Sequence, residues 1–82
     1  MTEEELTIKY GNLSIKHHEV VKSIANSHNP SFHKREARLL KEALQEHKTA
    51  WDVFDRQMMV VYVDSLIDNL DVICKLKGIV NE

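Results

Sequence analysis

The sequence predicts an all-α fold: a small three-helix bundle, or a helical hairpin with a long C-terminal helix, that dimerises through coiled-coil-like packing. The 82 residues include only two Gly and one Pro, too few for the tight turns of a β-sandwich or barrel. Apolar residues recur at alternating spacings of three and four, as in amphipathic helices. A chain this short buries only about 60 to 65% of its unfolded surface. We therefore expect one thin-cored domain, residues 1–82, that gains from a partner.

The first helix is predicted over residues 2–27. Thr2 followed three residues later by Glu5 is a capping-box pattern. An apolar stripe continues from there at helical spacing: Leu6, Tyr10, Leu13, His17, Val20 and Ile24. Gly11-Asn12 between alternating apolar residues is also a hairpin signal, so a hairpin over residues 5–16 remains an alternative. The helix is favoured because an isolated two-stranded unit is marginal in water.

A second helix is predicted over 31–48 and a third over 50–77. Pro30 disfavours helix in the residue before it, and Ser31 can cap a helix that starts directly after the break. Residues 32–77 contain neither Gly nor Pro, and one straight helix of that length would reach roughly 70 Å. Thr49 and Asp52 repeat the capping-box pattern and predict a corner there. The same pattern recurs at Ser65, so a fused second and third helix remains open.

The apolar stripe continues through both predicted helices. It comprises Ala37, Leu40, Leu44, His47, Trp51, Phe54 and Met58 and then, after one extra four-residue step, Tyr62, Leu66, Asn69, Ile73, Leu76 and Val80. An extra step of four unwinds a coiled coil locally and favours straight packing in a bundle.

Residues 58–63 are apolar apart from the Tyr62 hydroxyl, so the helix is apolar nearly all round at this point. Such a segment is the centre of a three-helix core or an interface with another chain. Asn69 would fix register in such a seam, or lie at its exposed edge. The predicted protein interface comprises Trp51, Phe54, Met58, Met59, Tyr62, Val63, Leu66, Asn69 and Ile73.

Charged residues form two groups. Asp64, Asp68 and Asp71 share a predicted solvated face and lack the wrapping loop of a cation site. A basic face comprises Lys34, Arg35, Arg38 and Lys41. It would be solvated or paired with Asp71 to Asp64 across an antiparallel seam, or would meet an acidic protein or nucleic acid. A net charge of -2 argues against a general nucleic-acid binder.

The pattern of reactive residues argues against catalysis. His18-Glu19 lacks the second histidine of a metalloprotease motif, and His28 and His33 have no third ligand nearby. Cys74 has neither a glycine-rich turn nor an evident base beside it. We therefore expect no enzyme activity, no cofactor and no metal.

The sequence is best interpreted as a non-catalytic regulator or adaptor that occludes, chaperones or inhibits a protein target. Its partners would be another protein, its own copy, or both. In size and character it is comparable to phage accessory factors for lysis control or host takeover, and to small secretion chaperones. A nucleic-acid-associated protein is the further alternative. One cysteine, no secretory signal and no membrane-length apolar run predict a cytoplasmic protein.

Overall fold

The computed structural model describes residues 1–79 and contains three α-helices within that range. α1 spans Glu3–Asn26, α2 spans Lys34–Val53 and α3 spans Gln57–Leu76; a short 3₁₀ helix, Pro30–His33, precedes α2. The predicted all-α class is confirmed, and residues 1–79 contain no strand. Val80, the last residue of the predicted stripe, lies outside the described residues.

α1 begins at the predicted capping box. The Thr2 hydroxyl oxygen accepts the Glu5 backbone N–H at 3.2 Å, and Glu5 Oε1 accepts the Thr2 backbone N–H at 3.2 Å. The bond from the Thr2 backbone lowers the pKa of Glu5. The helix continues through Gly11, so the alternative hairpin over residues 5–16 is wrong. Burial of one continuous helical face outweighs the roughly 1 kcal/mol that a mid-helix glycine costs relative to alanine.

The break at Pro30 is present, but the second helix begins later than predicted. α1 ends at Asn26, where the Ser27 N–H donates to the Ile24 carbonyl at 3.3 Å. Ser31 does not cap α2: it lies in the 3₁₀ helix, and its hydroxyl donates to Oδ1 of Asn29, the residue before that helix, at 2.8 Å. α2 therefore starts at residue 34 instead of residue 31.

The corner between α2 and α3 lies at residues 54–56, so the predictions of a corner near Thr49 and of a fused helix are both wrong. The Thr49 hydroxyl donates back to the Gln45 carbonyl at 3.1 Å, as it does inside a continuous helix. Asp55 has a positive φ of 56°, and this left-handed residue stops α2. The Arg56 N–H then donates to the Trp51 carbonyl at 3.1 Å and closes the turn.

The three helices form an up-down-up bundle in which α1 runs parallel to α3 and antiparallel to α2. Arg56, next to α3, forms an ion pair with Glu3 at the start of α1, with Nε and Oε1 3.1 Å apart. Further along, His17 of α1 contacts the Leu66 carbonyl of α3. The core comprises Leu6, Val20, Ile24, Ala37, Leu40, Leu44, Trp51, Val63, Ile67, Leu70, Cys74 and Ile79.

The predicted stripe is confirmed in α1 and α2 but is out of phase in α3. In α2 the buried residues are Ala37, Leu40, Leu44, His47 and Trp51, all of them predicted. In α3 they are Val63, Ile67, Leu70 and Cys74, each one residue beyond a predicted position. Because residues 54–56 are not helical, the periodicity of α2 does not continue into α3. The buried face of α3 is therefore offset by one residue from the predicted stripe.

Candidate functional site

The nine predicted interface residues lie at three depths. Trp51 and Val63 are in the core and unavailable to a partner in the folded chain. The half-buried residues flank the core: Phe54, Met59, Leu66 and Ile73. The exposed ones are Met58, Tyr62 and Asn69. The last group is the most accessible to another chain, because its side chains are exposed in the closed bundle.

Exposed residues at heptad spacing line the side of α3 that faces away from α1 and α2. This outer stripe of α3 comprises Met58, Tyr62, Ser65, Asn69, Val72 and Leu76. Val72 is 54% exposed and Leu76 is 76% exposed, and Val61 extends the apolar surface beside Met58. The predicted interface did not include Val61, Val72 or Leu76, although Val61 belongs to the apolar run 58–63 and Leu76 to the predicted stripe. The signal was present, because α3 has apolar residues on more sides than one bundle covers.

The centre of the outer stripe is polar. The Ser65 hydroxyl donates to the Val61 carbonyl at 3.1 Å and is satisfied within α3. The Asn69 side chain is exposed and makes no hydrogen bond among residues 1–79. An amide in the middle of an apolar stripe restricts which helices can align with it, because burial requires a hydrogen-bond partner.

The aspartates of α3 divide between two surroundings. Asp71 lies 2.9 Å from Lys41 Nζ, and Asp64 lies 2.9 Å from Lys48 Nζ. These pairs join α2 to α3, so Lys41 is paired across the antiparallel seam as one sequence alternative predicted. Asp68 is exposed. No group of three potential metal ligands occurs among the described residues.

The other residues of the predicted basic face are exposed and form no ion pair within the described chain: Lys34, Arg35 and Arg38. Arg35 and Lys16 border a surface groove between α1 and α2 with a volume of about 530 Å³. Glu36 shares this border, so the charge of the groove is mixed. The rest of its lining is apolar: Leu13, Phe32, Leu39, Leu40 and Ala43.

Two histidines are buried, and both have lowered pKa values. His17 Nε2 donates to the Leu66 carbonyl at 2.8 Å; burial lowers the pKa of this ring although the carbonyl opposes the shift. Trp51 Nε1–H donates to His47 Nε2 at 2.9 Å, which places the His47 proton on Nδ1. Burial, with a smaller contribution from Lys9, lowers the pKa of His47. The His17 hydrogen bond joins α1 to α3, whereas the hydrogen bond between His47 and Trp51 lies within α2, and the His47 ring stacks on Tyr10 of α1.

The thiol of Cys74 is enclosed in the core and is 1% exposed. Burial raises its pKa, the opposite of the shift that activates a nucleophilic cysteine. Within residues 1–79, the helices lack the combination of length and apolar character needed to cross a membrane. Comparisons with protein-family models, curated proteins and solved structures found no match.

Proposed function

We propose that the chain is a cytoplasmic, non-catalytic regulator or adaptor that captures an amphipathic helix of another protein on the outer stripe of α3. The observation that carries this proposal is a run of exposed apolar residues at heptad spacing on a face that α1 and α2 leave uncovered: Met58, Tyr62, Val72 and Leu76. Helices recognise such faces through anchors spaced by three and four residues.

The bound helix would lie along α3 and cover the apolar residues at both ends of the stripe. Met58 and Tyr62 receive side chains at one end, and Val72 and Leu76 receive them at the other. Asn69 between them selects a partner with a hydrogen-bonding group at that level, since a buried amide without a partner costs about 1 to 3 kcal/mol. The apolar residues at the two ends of the outer stripe provide the affinity, and Asn69 at its centre determines how the bound helix is aligned.

A helix from another protein fits this face better than an antiparallel second copy of α3. Antiparallel pairing that matches Met58 with Leu76 brings Asp68 of each chain close to the same axis. Like charges placed together across an interface disfavour the complex. Parallel pairing of two copies of α3 avoids this repulsion. The crosslinking experiment described below would detect such a pair as crosslinks between copies of this chain.

Function would result from occlusion of the bound helix. If the target uses this helix for its own assembly, covering the helix inhibits that assembly. If the helix is otherwise exposed to solvent, covering it acts as chaperoning. A phage-type accessory regulator, or a secretion-chaperone-like protein of the same mechanism, is the alternative. The nucleic-acid alternative has weaker support, because Lys41 is already paired with Asp71.

A photo-crosslinking amino acid placed at Val72, with a matched one at Gln45 on the outward side of α2, tests the proposal in cells. We expect Val72 alone to crosslink to a helical segment whose apolar residues recur at three and four. A synthetic copy of that segment should then bind the wild type, with affinity reduced at least tenfold, about 1.4 kcal/mol, by Val72→Asp and unchanged by Gln45→Asp. Crosslinks confined to copies of this chain, or equal yields at both positions, would refute capture of another protein.

A further inference from the structure

The outward face of α1 carries a second set of exposed residues that the proposed function does not use. They succeed each other at spacings of four and three: Glu4, Ile8, Gly11, Ile15, His18 and Lys22. Ile8 is 66% exposed and Ile15 is 62% exposed. Among residues 1–79, the side chains of this face make no hydrogen bond or ion pair. We name this set the outward face of α1.

Gly11 at the centre of this face has no explanation within residues 1–79. It is helical, and a Cβ placed on it would have none of these residues within 4 Å. Neither backbone conformation nor internal packing therefore requires glycine, although it is among the poorest helix formers. A glycine in this setting is suited to the close approach of something outside the chain.

We propose that a second copy of this chain packs on the outward face of α1, with the two α1 helices antiparallel. In one alignment, Ile15 of each copy lies over Gly11 of the other. The isoleucine side chain then occupies the space that is open because glycine has no side chain. The same alignment places Ile8 against His18 of the second copy. The two-fold axis repeats every contact, which gives a closed dimer.

The charges at the ends of the face identify this occupant and its direction. Glu4 and Lys22 lie 18 residues apart, roughly 27 Å along α1. The alignment that places Ile15 over Gly11 also places Glu4 of each copy opposite Lys22 of the other. A parallel copy would instead oppose Glu4 to Glu4 and Lys22 to Lys22. Opposite charges at the two ends therefore make this face complementary to itself only when it is reversed.

Other charged residues lie at the edge of the contact. Glu5 of one copy approaches Glu19 of the other, which weakens the pair. Each has a lysine of its own helix one turn away, Lys9 for Glu5 and Lys16 for Glu19. The contact is also narrow, so the expected dimer is reversible and depends on the end charges. It leaves the outer stripe of α3 free in both copies.

Charge exchange tests the pairing and its direction. Sedimentation velocity over a concentration series should show self-association of the wild type, weakened at least about tenfold by Glu4→Lys or Lys22→Glu alone. Glu4→Lys combined with Lys22→Glu should restore it. An equimolar mixture of the two single variants should form heterodimers, because each supplies the charges that the other lacks. Circular dichroism checks that all variants remain helical.

Gly11→Gln separates the role of the glycine from helix stability. Glutamine is a good helix former and has open space at this position, so the melting temperature should rise while self-association falls. A wild type that stays monomeric, or charge variants without recovery in the double variant, would overturn the proposal. Loss of self-association in Val72→Asp but not in Glu4→Lys would also overturn it, by placing the contact on α3. The function proposed for α3 stands or falls separately.

Discussion

The inner and outer faces of α3 have similar apolar side chains but different surroundings. On the inner face, Val63, Ile67, Leu70 and Cys74 are at most 6% exposed. On the outer face, Met58, Val61, Val72 and Leu76 are each more than half exposed. The difference comes from the corner at Asp55, which sets the face that α3 turns toward α1 and α2. The apolar composition of α3 indicates that it packs against other helices. The geometry of the corner before α3 determines which of its faces packs against α1 and α2.

Truncation of one residue on each face gives the largest expected contrast. Leu70→Ala should lower the free energy of unfolding by about 2 to 5 kcal/mol, because it removes buried apolar atoms and leaves a cavity. Leu76→Ala, the same truncation on the outer face, should change it by no more than about 0.5 kcal/mol, because Leu76 is exposed. Urea unfolding monitored by circular dichroism measures both. Similar losses would mean that the outer face is covered in the isolated protein.

Substitutions at the corner should have the next largest effect. Asp55 has a left-handed backbone, which β-branched residues tolerate poorly. Asp55→Val should lower the free energy of unfolding by about 1 to 3 kcal/mol, whereas Asp55→Gly should leave it unchanged or raise it. Both variants remove the same carboxylate, so the loss of its charge and hydrogen bonds does not contribute to the difference between them. Equal stability of the two would contradict a left-handed corner.

The smallest effect should come from pH, acting on the two buried histidines, His17 and His47. Folding lowers the pKa of His17 and of His47 from the ordinary value of 6.5, so the folded chain binds fewer protons than the unfolded chain. Their contribution to stability is complete above that value. It should fall as the pH drops through about 6.5 and level off below the lowered pKa values.

Urea midpoints between about pH 8 and about pH 5 measure this dependence, which spans the titration range of histidine. His47→Gln removes one titrating ring and retains a side-chain acceptor for Trp51 Nε1, so it should flatten the curve. His28→Asn, which replaces an exposed histidine outside the core, is the matched control. A flat wild-type curve would contradict burial of neutral imidazoles.

Local sequence signals predicted the helices and the buried faces of α1 and α2. The Thr2 capping box and the Pro30 break depend on neighbouring residues only, and both are present. The corner was misplaced because Thr49 and Asp52 match a helix start while lying inside α2. The sequence carries no signal for a left-handed backbone at Asp55, because aspartate adopts that conformation only occasionally.

The candidate site was predicted less completely for a related reason. Once the corner was misplaced, the stripe continued in the wrong phase, and Val63 was assigned to an interface although the bundle buries it. Asn69 was predicted as either a seam residue or an edge residue, and the structure exposes it. Helical periodicity identifies the faces of an isolated helix. Which face becomes internal depends on tertiary contacts that periodicity does not encode.

The enclosed position of Cys74 makes it a reporter of transient opening. It is the single cysteine of the sequence, so a thiol reagent has one target. Alkylation requires a thiolate that the reagent can reach. In the closed bundle the Cys74 sulfur is buried, so it does not react. The labelling rate under native conditions therefore measures how often α3 separates from its neighbours. A ligand on the outer stripe that slows this labelling would be detected without modifying the protein beforehand.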